Sequence, residues 1–201
     1  MADLECQILE QTRVYEGFLN VDKVKLRHSL FAGGWSADFR REVLVRQPAA
    51  AVILYDPDQD KLVLVEQFRI GAAAAGKPSW MIEVVAGLID EGYSAAEIAQ
   101  KEAKEEAGCD AQDLFHIVDY FPSPGGCTEI VSLFCGRVDS TGIDGLYGLA
   151  HENEDVRAMS VSVDTVMEWV DQGRIVNGLT LMALLWFARN RDALRRRWGV
   201  T

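Results

Sequence analysis

The chain has 201 residues, 49% hydrophobic and 25% charged, an ordinary globular composition with room for one main domain and a core of useful size. A formal net charge of −11 sets its surface against nucleic acid and anionic membrane, and neither is expected as a partner. Cys6, Cys109, Cys127 and Cys135 show no metal-ligand or redox spacing and read as free thiols, which points to the reducing cytoplasm. The opening Met-Ala-Asp-Leu-Glu lacks the basic stretch and apolar core of a secretory signal, and the most apolar window, Leu179 to Ala188, is too short to span a bilayer.

Apolar and polar residues alternate through the first fifty positions, which predicts antiparallel strands over Gln7 to Tyr15, Phe18 to His28 and Phe39 to Val45. Stronger strands follow at Ala50 to Tyr55 and Lys61 to Phe68, joined through the turn-rich Asp56-Pro57-Asp58-Gln59-Asp60. Gly71 to Pro78 reads as a loop of small residues, and Trp80 to Val85 as one further strand. Leu114 to Tyr120 and Ile130 to Val138 are strands separated by a rigid proline-glycine turn, and Asp139 to His151 reads as a mobile glycine-rich loop. A strand over Val156 to Val163, a helix capped by Asp164 and a long amphipathic helix from Leu179 to Trp198 complete the chain. This order of strands, then strands mixed with helices, then helices predicts an α/β or α+β sandwich. Arg195, Arg196 and Arg197 read as the complement of the last helix's dipole.

The segment from Gly87 to Cys109 carries the most chemistry. Ser94 with Glu97 forms the pattern of a capping box, and Gly108 stands where a C-terminal glycine belongs, so a helix is expected between them. Ala96, Ala99, Ala103 and Ala107 make a narrow stripe that lets this helix lie close to a sheet. Glu97 and Lys101 form an i,i+4 pair facing solvent. Glu102, Glu105 and Glu106, three and four residues apart, project together on the adjoining flank. Carboxylates so close repel one another unless a cation sits among them, and hard divalent ions such as Mg²⁺ prefer oxygen ligands.

The same segment resembles the Nudix box, the signature of hydrolases that cleave nucleoside diphosphates linked to another group. Gly87, Glu102, Ala103, Glu105, Glu106, Gly108 and Cys109 fall in place; Tyr93 stands where the pattern has Glu, and Lys101 where it has Arg. Val65 to Arg69, Glu83 to Gly87, Ser123 to Gly126 and His151 to Asp155 are similar to the bacterial ADP-ribose pyrophosphatase branch, and Pro124 occupies the position of its substrate-marking proline. The resemblance implies a Nudix-type α/β/α sandwich with a mixed sheet over residues 48–201. An antiparallel region over residues 1–47 precedes it, dimer-forming and partly exchanged between subunits.

By the same resemblance, Glu102 and Glu106 bind Mg²⁺ (or Mn²⁺) most directly, with Glu105 and the backbone carbonyl of Ala86 in support. Glu152 is the catalytic base and Glu154 its helper. Phe18 and Arg41 reach the substrate from the partner subunit, while Arg69, Glu83, Gly87, Leu88 and Ser123 line the substrate site. The implied reaction splits the pyrophosphate of ADP-ribose to AMP and ribose 5-phosphate. Hydrolysis of another nucleotide sugar such as GDP-mannose, or a sensor that binds without cleaving, are the alternatives. Tyr93 and Lys101 weaken the support around the metal ligands without removing the ligands, since Lys keeps the charge of Arg but loses its planar fork.

Overall fold

The computed structural model describes residues 4–149 and 153–200. They fall into two compact units, one from Met1–Pro48 with Phe121–Ile130, the other from Ala49–Tyr120 with Val131–Thr201.

In the first unit β1 (Cys6–Glu16), β2 (Asn20–His28) and β3 (Phe39–Val45) form an antiparallel sheet in chain order. The excursion at 121–130 docks on its last strand, where Leu44 N–H donates to the Gly126 carbonyl at 2.8 Å and Thr128 N–H to that of Leu44 at 3.0 Å. Asp22 is buried between its partners Arg13 and Gln11, and hydrogen bonds from those two side chains hold its carboxyl below the usual carboxylate range. β1 itself is exposed along almost its whole length.

The second unit is built on a mixed sheet in which β10, β11, β5, β4, β9 and β8 are neighbours in that order. These are β4 (Ala49–Asp56), β5 (Lys61–Phe68), β8 (Gln112–Tyr120), β9 (Val131–Arg137), β10 (Asp144–Tyr147) and β11 (Val156–Ser162). Only β4 and β9 run parallel, and the other pairs are antiparallel. β4 is buried at every position: Ala51, Ile53 and Tyr55 pack with α3 (Val163–Asp171) and α4 (Gly178–Arg197), whereas Ala50, Val52 and Leu54 pack with α2 (Ala95–Ala107). Burial on both faces explains why β4 reads as a continuous apolar run. This is the α/β/α sandwich anticipated.

Several local expectations need correction. Trp80 to Val85 is two strands, β6 (Trp80–Glu83) on β5 and β7 (Val85–Leu88) on β4. β4 and β5 pair only through Leu54 to Asp56, so their far halves take separate partners and the chain steps from one to the other at Val84. The step is satisfied by a buried donor-acceptor contact, Val84 N–H to Thr180 Oγ1 at 3.1 Å. Within Gly71 to Pro78 the alanines close a short helix, α1 (Ile70–Ala74). Within Asp139 to His151 the glycine-rich stretch adds β10 as an edge strand on β11. Ser162 rather than Asp164 caps α3, accepting from Thr165 N–H at 3.2 Å. Arg195 and Arg197 do more than complement a dipole: Arg195 donates to the Pro57 carbonyl at 3.2 Å and Arg197 lies over the Phe115 ring.

Candidate active site

α2 begins and ends as its sequence dictates. Ser94 and Glu97 close a full capping box, and Gly108 terminates the helix at φ +63°. Gly108 meets a second demand, because a Cβ there would come within 2.7 Å of the Tyr147 ring. Ile98, Ala99, Ala103 and Ala107 face the sheet, and Glu106 is buried with them.

The three glutamates are therefore unequal. Glu106 is only 3% exposed; Gln67 Nε2 donates to its Oε1 at 3.2 Å and Ala86 N–H to its Oε2 at 3.4 Å. Burial, aided by the charge of Glu102 and opposed by the Gln67 hydrogen bond, pushes its carboxyl up to about 7. Glu102 and Glu105 are half-buried, and Lys101 Nζ stands 3.9 Å from Glu102 Oε1 and 3.5 Å from Glu105 Oε2. The expected Glu97–Lys101 pair gives way to these contacts: Glu97 is engaged by Ser94, and Lys101 turns to the carboxylates and to Asp90 at 3.9 Å. Tyr93 is exposed. Gly87 has no room for a side chain, since a Cβ would fall 2.3 Å from Glu102 Cδ.

Beside this cluster, Arg69 at the end of β5 grips Glu83 of β6 with Nη2 to Oε2 at 2.6 Å and Nε to Oε2 at 2.9 Å. The Glu83 side chain is 3% exposed and that of Arg69 43%. Partial burial works against the Arg69 charge, but Glu83, Glu106 and Glu154 together outweigh it. Glu154 is half-buried, and its backbone N–H donates to the Leu149 carbonyl at 3.3 Å.

The second unit thus brings together Arg69, Glu83, Ala86, Gly87, Glu102, Glu105 and Glu106 from β5, β6, β7 and α2, with Leu88 closing β7. Phe18, Arg41 and Ser123 belong to the first unit. There Phe18 is 91% exposed, Arg41 lies over the Phe39 ring, and the Ser123 carbonyl accepts from Cys127 N–H at 3.0 Å. Glu152 lies outside the described residues. Sequence reasoning missed Gln67 and Asn177; the Asn177 amide donates to Glu83 Oε1 at 2.8 Å. Gln67 lies on β5 two residues before Arg69 and could have been singled out by strand alternation, whereas Asn177 carries only the signal of a helix cap.

The donor set suits a hard divalent cation. Carboxylates and a backbone carbonyl are oxygen ligands, and Glu106 is a buried acid whose hydrogen bonds come from neutral donors, so a cation would compensate its charge. Among the described residues no three His, Cys, Asp or Glu side chains already converge to hold an ion, so Glu102 and Glu105 would turn inward, away from Lys101, to complete the set.

A carboxylate helix at a split in a mixed sheet defines the class, and the sequence comparisons agree. The NUDIX domain model matches residues 45–177, and the chain belongs to that family. It is 39% identical over 197 residues to an ADP-ribose pyrophosphatase of Haemophilus influenzae, covering 96% of this chain and 91% of that protein. The identity to an ADP-ribose pyrophosphatase of Escherichia coli is also 39%, over 97% of this chain and 93% of that one. A GDP-mannose pyrophosphatase of Pectobacterium atrosepticum is 33% identical over 74% of this chain and 80% of its own length. The crystal structure of an ADP compounds hydrolase shares the fold, with a TM-score of 0.72 at 20% identity over 98% of this chain and 97% of that one.

Proposed function

We propose that this protein hydrolyses ADP-ribose to AMP and ribose 5-phosphate with Mg²⁺, or Mn²⁺, as cofactor. What carries the reading is the length of the likeness: 96% of the chain aligns with an ADP-ribose pyrophosphatase, against 74% with a GDP-mannose pyrophosphatase. The pyrophosphate is doubly anionic, so cleavage needs charge compensation and an oriented water. Glu106, Glu102 and the Ala86 carbonyl would hold the ion, with Glu105 in support. When bound, the ion supplies Lewis-acid charge to the phosphate oxygens and lowers the pKa of the attacking water. Arg69, braced by Glu83, offers N–H donors to the substrate, while Gly87 and Leu88 line it. Glu152 takes a proton from the water as the new P–O bond forms and the bridging P–O bond breaks, with Glu154 assisting.

Assaying phosphomonoester release from ADP-ribose, GDP-mannose, NADH and diadenosine compounds tests this reading. ADP-ribose is expected to be the best substrate; preference for GDP-mannose would favour the alternative, and binding without turnover would make the protein a sensor. Gly87→Ala is expected to lower the rate by about 10- to 100-fold with the fold intact, because the new methyl displaces Glu102. Mg²⁺ titration of that variant by calorimetry should show weakened binding, and unchanged binding would contradict the placement of Glu102.

The protein is further proposed to act as a cytoplasmic homodimer, its four thiols free. Ile8, Val14, Tyr15 and Phe18 are all more than half exposed in one chain, apolar side chains along and just after β1 that a second copy would cover with Phe18 and Arg41 brought to the partner's substrate. Sedimentation at micromolar concentration should return twice the mass of one chain, and a stable monomer would overturn the dimer.

A further inference from the structure

Asn177 performs two tasks with the two ends of one amide. Its Oδ1 accepts from Thr180 N–H at 2.9 Å and so caps α4, while its Nδ2 donates to Glu83 Oε1 at 2.8 Å. Ser, Thr or Asp would satisfy the helix equally well. An Asp side chain has no donor for a carboxylate, and a hydroxyl, which can both accept and donate, holds its donor closer to the backbone than an amide does. The choice of Asn therefore answers to Glu83.

Glu83 is buried, so each of its oxygens needs a donor. Arg69 serves Oε2 through Nη2 and Nε and reaches Oε1 only through the shared Nε at 3.1 Å; Asn177 is the second donor to Oε1. This second donor fixes the rotation of the carboxylate about its last torsion, and the guanidinium follows because it is bound edge to edge. The same helix end is tied to the sheet a second time. Thr180, one turn into α4, is fully buried and accepts from Val84 N–H, the next residue after Glu83. The N-terminus of α4 is thus pinned to the end of β6 through Glu83 and to the step before β7 through Val84.

We propose that Asn177 is a positioning residue for substrate binding: it locks Glu83, which in turn aims the partly exposed Arg69 guanidinium at an anionic group of the nucleotide sugar. This rests on the reading of Arg69 as a substrate contact. Of its five N–H donors Glu83 occupies one edge, leaving others for a phosphate oxygen.

The test compares full-length wild type with Asn177→Ser, Asn177→Asp and Arg69→Ala. Ser retains the cap but is too short to reach Glu83; Asp retains the cap and turns a carboxylate toward another. Both are expected to raise KM for ADP-ribose about tenfold, the scale of one hydrogen bond to a charged group. kcat should move little, while the thermal midpoint should fall by a few degrees in Asn177→Ser and further in Asn177→Asp, since buried Glu83 loses a donor in both and meets a like charge in the second. The dissociation constant of ADP-ribose, titrated by calorimetry without metal, should rise in parallel. In the Arg69→Ala background the Asn177 substitutions should add nothing further.

If Arg69→Ala raises KM while folded Asn177→Ser and Asn177→Asp do not, the proposal is overturned and the Arg69 reading stands. A loss of kcat and of thermal midpoint at constant KM likewise overturns it, leaving Asn177 a helix cap alone. If Arg69→Ala leaves KM and affinity unchanged, or wild type neither binds nor cleaves ADP-ribose, the underlying reading fails and the proposal falls with it.

Discussion

Glu106→Gln is expected to abolish most of the activity while making the metal-free protein more stable. The two effects have one cause. Glu106 is buried, is hydrogen-bonded by neutral donors and lies near Glu102, so its carboxyl is pushed from an ordinary 4.5 to about 7. The folded chain therefore holds this proton more tightly than the unfolded chain does. Between 4.5 and about 7 the folded state carries the extra proton, and stability falls as pH rises through that interval. Above it the penalty is on the order of 3 kcal/mol, since each pKa unit is about 1.4 kcal/mol. Gln carries no charge to desolvate, and its NH₂ meets an acceptor once the Gln67 amide turns its oxygen toward it, so its thermal midpoint at pH 8 without metal should exceed that of wild type by several degrees.

The cation needs the ionised form, so wild-type affinity for Mg²⁺ should weaken as pH falls below about 7. Hydrolysis by Glu106→Gln should drop on the order of a thousandfold, as when one main electrostatic stabiliser is removed. Retained turnover in a folded variant would sink the assignment of Glu106 as a principal metal ligand. A variant less stable than wild type at pH 8 would contradict the burial argument.

The inequality of the three glutamates marks the limit of what sequence periodicity can reveal. Spacing of three and four residues puts Glu102, Glu105 and Glu106 on one side of α2, and the capping residues Ser94, Glu97 and Gly108 define its ends, because both signals are local. Which glutamate is buried depends on Gln67, 39 residues away on β5, and on the backbone of Ala86 in β7. No short-range pattern encodes that. Lys101 shows the same limit in reverse: its i,i+4 relation to Glu97 is real along the helix, yet capping engages Glu97 and the lysine turns to the carboxylates.

The split of Trp80 to Leu88 into β6 and β7 was equally hidden, since both halves are apolar and the division is imposed by β4 and β5 parting company. That split creates the site. It places Glu83 on one strand and Ala86 and Gly87 on the next, with Val84 anchored to α4 between them. The residues that the second unit brings together were therefore legible as a group, while their unequal burial and contacts follow from long-range pairing.

Asp56→Ala should be the most destabilising single change away from this site, at about 3 kcal/mol, because it leaves the buried Ser140 N–H and Oγ and two partly buried turn N–H groups without their acceptor. Asp56 ends β4 and is 2% exposed. Its Oδ1 accepts from the N–H groups of Asp58 and Gln59, each at 3.0 Å, and its Oδ2 from Ser140 N–H at 2.9 Å and Ser140 Oγ at 2.7 Å. One carboxylate thus closes the β4–β5 turn and ties it to the chain leaving β9, the parallel neighbour of β4. Burial alone would raise its pKa, but these hydrogen bonds to the ionised form win and hold it below the ordinary 3.8. Because the folded value is depressed, the stabilisation is fully present above 3.8 and is lost as pH falls through the folded value. Asn is a near-isosteric control that cannot ionise and turns an NH₂ group toward an N–H donor. Urea unfolding of wild type and Asp56→Asn should therefore show a gap that is constant at neutral pH and narrows on acidification below 3.8. A gap independent of pH would mean that the charge of Asp56 contributes nothing and that shape alone holds the turn.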